Sequence, residues 1–190
     1  VSIEGNTFVV GDPNAGIAGR VYVYQLNTTT NQWGLVKALD VASISGWGTA
    51  RIGAWTDANL SGNQWLAVSG NRIAVGAPNE GSGSGRVAWF ADTSNTGSVG
   101  NWSVVASGYF DEPLGPEYNS DVETQPHFGA SIAIAKDALV IGAPTADLQM
   151  SGGMYSSAPN DDNHGAVFIY QWSSGSTGAP SGTLSFVLNG

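Results

Sequence analysis

The sequence predicts an all-β chain built from one four-stranded unit that occurs three times. Three observations carry that prediction. Gly is abundant, at 27 of 190 residues, while charged residues make up only 11%, a balance that disfavours long helices. Short runs rich in β-branched residues are separated by two-residue Gly-Asn turns, a hairpin signal. Finally, Gly11, Gly76 and Gly142 lie 65 and 66 residues apart inside matching segments. No window of useful length shows a 3.6-residue apolar period.

The matching segments read IEGNTFVVGDPNAGIAGRVYVY from Ile3 and VSGNRIAVGAPNEGSGSGRVAWF from Val68; the third starts IAKDALVIGAPTAD at Ile134 and ends HGAVFIY at Tyr170. A first strand is expected at Leu66–Val68 and Ser131–Ile134, with the chain opening inside its counterpart. The turns are Gly5-Asn6, Gly70-Asn71 and, in the third unit, Lys136-Asp137. Second strands follow at Thr7–Val10, Arg72–Val75 and Ala138–Ile141, ended by a Gly-Asp/Ala-Pro triplet because Pro cannot donate to a continuing ladder. Third strands are expected at Arg20–Gln25, Arg86–Phe90 and Ala166–Trp172. Fourth strands are expected at Trp33–Leu39, Trp102–Ala106 and Thr183–Leu188. The third unit carries about 14 extra residues before its third strand, since Val87 and Val167 are 80 apart.

Tandem units of four short strands fit the blades of a β-propeller better than the alternative, a sandwich with duplicated hairpins, which rarely repeats the same turn and Gly-x-Pro stop three times. We therefore expect one β-propeller region over 1–190, with repeats at about 1–40, 62–106 and 128–188. Closed propellers use about four to eight blades, so three blades would leave open sheet edges able to pair with other chains. The expectation is a segment of a larger propeller, with completion by neighbouring subunits as the alternative.

Phe128-Gly129-Ala130-Ser131, Ile141-Gly142-Ala143-Pro144 and Gly165-Ala166-Val167-Phe168-Ile169-Tyr170 together resemble an FG-GAP repeat. In the second unit Gly62-Asn63 stands where Phe-Gly would be, and in the first that position lies before residue 1. The resemblance implies a propeller of about seven blades, as in integrin α subunits and many secreted bacterial and algal proteins. Members of that family often carry a D-x-D-x-D-G calcium loop before the Gly-Ala-Pro strand. Here Glu4–Thr7, Ser69–Arg72 and Ala135–Ala138 occupy those positions. A two-residue turn with at most one carboxylate cannot wrap an ion that needs six to eight oxygens, so the calcium site is not carried over and no cofactor is expected.

Charge narrows the partners. Six basic against 15 acidic residues give a net charge of −9, which repels nucleic-acid phosphates and anionic membrane surfaces. Apolar runs reach six residues or fewer, too short to span a bilayer, and the strand-like opening is read as carrying no leader. With no cysteine, disulfides, thiolate metal sites and Cys nucleophiles are all excluded.

No residues form a convergent catalytic set. His127 and His164 read as turn residues at blade junctions rather than ligands. No Gly-x-Ser-x-Gly elbow is present, and the GSGSG run at Gly81–Gly85 lacks the Lys and following helix of a phosphate loop. The acidic pairs Asp111-Glu112, Asp121/Glu123 and Asp161-Asp162 read as solvated. If a hard cation binds, Asp161 and Asp162 in the long third-unit loop are the weak candidates. Trp47 and Trp55, between the first two units, are the candidates for stacking on a ligand, whereas Trp33 and Trp102 occupy similar repeat positions and read as packing. Sequons begin at Asn27, Asn59 and Asn101, usable in a eukaryotic secretory route.

The functional expectation is a non-catalytic extracellular or cell-surface module for protein–protein association, adhesion or assembly of a surface structure. Its partners would be other protein chains or further blades of the same chain, and glycans as a further class, with neither nucleic acid nor membrane insertion. The alternatives are a carbohydrate-binding propeller and a non-catalytic part of a larger secreted enzyme.

Overall fold

The computed structural model of the chain describes residues 1–53, 64–94, 102, 105–111, 126–135, 137–146, 165–172 and 180–187. Twelve strands form three four-stranded antiparallel sheets. The first holds β1 (Ser2–Glu4), β2 (Thr7–Asp12), β3 (Arg20–Asn27) and β4 (Gln32–Asp40). The second holds β5 (Leu66–Ser69), β6 (Arg72–Ala77), β7 (Arg86–Asp92) and β8 (Val105–Asp111). The third holds β9 (Ser131–Ala135), β10 (Ala138–Ala143), β11 (Ala166–Gln171) and β12 (Ser181–Val187). Helical structure among the described residues is a 3-10 turn at Val41–Ser43 and the four-residue α1 (Glu80–Gly83).

Each sheet is a simple meander, first strand to fourth. Gly5 and Gly70 take φ of 54° and 56° at the tight turns between first and second strands, the conformation that makes Gly the default residue there. The second residue of each turn locks it to the third strand. The carbonyls of Asn6, Asn71 and Asp137 accept from the N–H groups of Leu26, Asp92 and Trp172 respectively. The recurring Asn/Asp thus marks a repeated backbone bond.

Most strand ends fall within two residues of the sequence expectation, and two differences have a physical reason. The second strands run through Gly-Asp or Gly-Ala and stop only before Pro, because the ladder is lost where the N–H is lost. The fourth strand of the second sheet is Val105–Asp111, not Trp102–Ala106. Trp102 sits before it at φ 53° with no exposed surface, so it is no counterpart of Trp33, which lies on β4 and is 42% exposed.

The sheets pack face to face, with β1 beside β5 and β5 beside β9. Strand alternation gives every sheet two faces. One apolar cluster joins Val9, Val21 and Val23 of the first sheet to Leu66, Ile73 and Phe90 of the second. The other joins Ala74, Val87 and Trp89 of the second sheet to Leu139, Ile141 and Phe168 of the third. Bulky side chains therefore come from the sheet that follows, and smaller ones largely from the sheet that precedes. Such stacking of all-β meanders along their first strands is consistent with a β-propeller segment.

Polar contacts follow the same direction. Glu4 accepts from the Ser69 hydroxyl at 3.1 Å and from the Gly70 N–H, and the Ser2 hydroxyl accepts from Val68 N–H at 3.2 Å. Between the second and third sheets, Arg72 reaches Asp137 at 2.8 Å and lies 4.8 Å over the Trp172 ring.

Candidate interaction surface

The segment leading into the third sheet shows what Phe128-Gly129 does. Phe128 N–H donates to Ser84 O at 3.0 Å and forms an isolated parallel bridge with Gly85. Gly129 N–H donates to Gly142 O at 3.1 Å. The seat exists because Gly85, at φ 89°, has no side chain; a Cβ there would meet Phe128 O at 2.2 Å. The GSGSG run is thus a receptacle for the next unit, not a phosphate loop.

The second unit has the same device. Ile52 N–H donates to Ala18 O at 3.1 Å, Gly53 N–H donates to Gly76 O at 2.8 Å, and a Cβ on Gly19 would meet Ile52 Cγ1 at 2.5 Å. Ala18, Gly19 and Gly76 are the repeat counterparts of Ser84, Gly85 and Gly142. Ile52-Gly53 therefore plays the Phe-Gly role that the sequence reading gave to Gly62-Asn63, which lie outside the described residues. Ile replaces Phe, and the segment between it and β5 is longer than between Phe128 and β9, so spacing alone misplaces it.

The repeat defines a leading face on each sheet. Val68, Ile73, Val75 and Phe90 of the second sheet, and Ile134, Leu139, Ile141 and Tyr170 of the third, all pack into the clusters just described. Their counterparts in the first sheet are Ile3, Phe8, Val10 and Tyr24. Among the described residues no further sheet packs on them. Ile3 is 65% exposed whereas Val68 is 6% exposed, and Leu35 beside Tyr24 is 53% exposed. Phe8 stacks on Tyr24 at 4.6 Å and meets Trp33 at 4.8 Å. Each such side chain left half in water forgoes roughly 1–2 kcal/mol of burial. Contiguous apolar faces of this kind are a feature of interaction sites.

Arg20 borders this face. Its counterpart Arg86 pairs with Asp111 at 2.6 Å and also donates to Gly46 O and Trp47 O, which precede the second sheet, at 3.3 and 2.7 Å. Its guanidinium lies over Tyr109 at 4.6 Å and over Trp47 at 5.7 Å. Arg20 has the equivalent carboxylate, Asp40, at 3.4 Å, but no carbonyls beyond it among the described residues. The sequence reading missed both arginines; the 66-residue spacing that aligned the glycines also aligns them.

Trp47 departs from expectation. It has no exposed surface, its indole N–H donates to Ala50 O at 2.7 Å, and Tyr109 meets it edge-on at 6.0 Å. It fills the space between the first two sheets and offers no face for stacking. Among the described residues the exposed indole is Trp33, in an open groove of about 450 Å³ with Gln25, Asn27, Thr30 and Gln32. Asn27 of the first sequon is exposed, and its Oδ1 accepts from the N–H groups of Thr29 and Thr30. His127, at φ 55°, donates its N–H to Gly83 O and places Nδ1 2.8 Å from the Thr145 hydroxyl, at the junction of the second and third sheets. Trp55, Asn59, Asn101, Asp161, Asp162 and His164 lie outside the described residues.

The open-edge expectation also needs restating. Each sheet ends at its first and fourth strands; among the described residues, the three-sheet stack leaves two faces without a neighbouring sheet, the leading face of the first sheet and the opposite face of the third. Among the described residues no group of three or more His, Asp or Glu gathers as a metal site, and no helix is long and apolar enough to cross a membrane.

Repeated meanders seated on one another through Phe-Gly or Ile-Gly define a repeat-built all-β protein, consistent with a β-propeller segment. Residues 118–170 match the family model of the FG-GAP repeat, so an FG-GAP repeat occupies the third unit. Such repeats build propeller-like modules that often serve protein interaction and are generally non-catalytic. No curated protein matches the chain.

Proposed function

We propose that the chain is a non-catalytic, extracellular or cell-surface module for protein–protein association, serving adhesion or assembly of a surface structure. One observation carries this reading: among the described residues no sheet packs on the apolar leading face of the first sheet, although the same face is core in the other two. In this reading the surface takes a further blade, from a longer chain of about seven blades or from another protein. The turns at Gly5-Asn6 and Gly70-Asn71 favour association without calcium, since neither offers a loop that could enclose the ion. The test is a photo-crosslinking residue at position 35 in the full chain, purified from its native surroundings. A protein adduct at residue 35, lost when Ile3→Glu is added, is expected. Unaltered chain alone would overturn the reading.

A second reading, carbohydrate binding, rests on Trp33. Its half-exposed ring lies beside the amides of Gln25, Asn27 and Gln32, a combination that suits a sugar face and its hydroxyls. Titration with a broad set of polysaccharides should quench tryptophan fluorescence in the wild type and not in Trp33→Ala. Identical responses would dismiss it.

A further inference from the structure

The sequon at Asn27 and the indole of Trp33 meet at one corner of the first sheet. Asn27-Thr28-Thr29 closes β3 and opens the turn into β4, and residues 27–30 are all exposed. The Asn27 Oδ1 accepts from the N–H groups of Thr29 and Thr30 at 2.9 and 3.1 Å. Its Nδ2, the atom to which a sugar would be attached, has no acceptor among the described residues. The strand register sets Trp33 opposite Leu26 and Gln32 opposite Asn27, and the two pairs border the same groove. Leu26 and Asp92 are equivalent, since each donates its N–H to the second residue of its sheet's first turn, Asn6 or Asn71. Their cross-strand partners are Trp33 and Val105. Val105 stays half-buried although it packs against the cluster between the first two sheets. A blade packed on the first sheet would therefore still leave Trp33 partly accessible from this corner.

We propose that Asn27 carries an N-linked glycan whose first N-acetylglucosamine lies on Trp33, so that the sugar in this groove is the chain's own. This rests on the carbohydrate reading of Trp33 and names its ligand. The donor is a lipid-pyrophosphate-linked oligosaccharide of a secretory route. In the transfer Asn27 Nδ2 bonds to C1 of the sugar, the bond from C1 to the pyrophosphate oxygen breaks, and an amide proton passes to a base of the transferase. Three features suit the product. The apolar C–H face of a sugar stacks on an indole, and Trp33 is 42% exposed, with Phe8 packed against it at 4.8 Å. Thr30 and Gln32 supply polar groups for the hydroxyls and the acetamide. No charged side chain lines the groove among the described residues, so a neutral sugar strips no ion of its water. The tether decides between an attached and a free sugar. One indole is a weak platform for a free sugar, whereas a covalently attached one is held at an effective concentration on the order of millimolar.

The test is glycopeptide mass spectrometry of the protein from its natural source. Asn27 should be occupied, and peptide N-glycosidase in heavy-oxygen water should convert it to labelled Asp. Hydroxyl-radical footprinting then compares the protein before and after that treatment. Trp33 oxidation should rise several-fold, while oxidation of Tyr24, on the same face, should not change. In a eukaryotic secretory host, Thr29→Ala keeps the Asn27 side chain and the backbone N–H that bonds to it. It should lose the glycan and show the same rise in Trp33 oxidation over the wild type from that host. An unmodified Asn27 in the natural protein would overturn the proposal; quenching of Trp33 by added polysaccharide in that unmodified protein would leave carbohydrate binding standing without it. An occupied Asn27 whose removal leaves Trp33 oxidation unchanged would overturn the placement of the glycan on the indole.

Discussion

Ile52 stands to the first sheet as Phe128 stands to the second: each donates its backbone N–H to the residue before a positive-φ glycine, Ala18 in one case and Ser84 in the other. The equivalence explains how one sheet is fixed on the next. A backbone bond sets the position, a glycine allows the approach, and a buried side chain fills the space beneath. Neither Ile52 nor Phe128 has exposed surface.

Truncating either anchor should therefore loosen the whole stack. Ile52→Ala is expected to cost about 2–5 kcal/mol and Phe128→Ala about 3–5 kcal/mol. Urea unfolding curves report both as lowered midpoints with little change in slope. A loss under 1 kcal/mol in either would separate that residue from the junction.

Glycines at the seats and at the turns should respond differently. Gly5→Ala meets no atom within 4 Å but must hold φ at 54°, at a cost of about 1–2 kcal/mol. Gly85→Ala carries the same backbone penalty and also places a Cβ 2.2 Å from Phe128 O. Its cost should exceed that of Gly5→Ala by at least about 1 kcal/mol, the lower end for overpacking. Equal melting temperatures for the two variants would contradict the seat.

The Arg72–Asp137 pair lies between the second and third sheets, with the arginine side chain 7% exposed and the carboxylate 36%. Removing the acid takes the carboxylate from a largely buried cation, so Asp137→Ala should be destabilising, by about 1–3 kcal/mol after allowance for the exposed carboxylate. The double variant Arg72→Met/Asp137→Ala should recover part of that loss. A double-mutant cycle in urea measures the coupling; strict additivity would show that the pair contributes nothing.

Trp47 and Trp33 should exchange the roles that their places in the chain suggest. Trp47→Phe leaves the buried Ala50 carbonyl without its donor and should cost about 1–3 kcal/mol. Trp33→Ala, on a half-exposed strand position, should cost less than Trp47→Ala. Thermal unfolding of the three variants ranks them directly.

Much of the architecture was legible because it repeats. Gly11, Gly76 and Gly142 gave the phase of the sheets, and Gly5-Asn6 and Gly70-Asn71 gave the first turns, since only certain residues meet those backbone demands. What was not legible depended on side-chain identity changing while the backbone role stayed constant. Ile52-Gly53 shares only its Gly with Phe128-Gly129, and the unequal spacing to the following strand hides the correspondence. Trp47 looked like a loop residue because it is outside any strand, yet the space between sheets is filled from such segments. The exposure of Ile3 and Tyr24 could not be read locally either, because their sequences match those of buried counterparts. Only the sheet stack shows that, among the described residues, no sheet packs on this face.

The central claim is that the first sheet's leading face is covered in the assembled protein. Hydroxyl-radical footprinting of Tyr22 and Tyr24, comparing the wild type with Ile3→Glu at the same concentration, tests it most directly. The account predicts that these rings are protected in the wild type and oxidise readily in the variant. Equal oxidation in both would mean that the face is open to solvent and contradict the account.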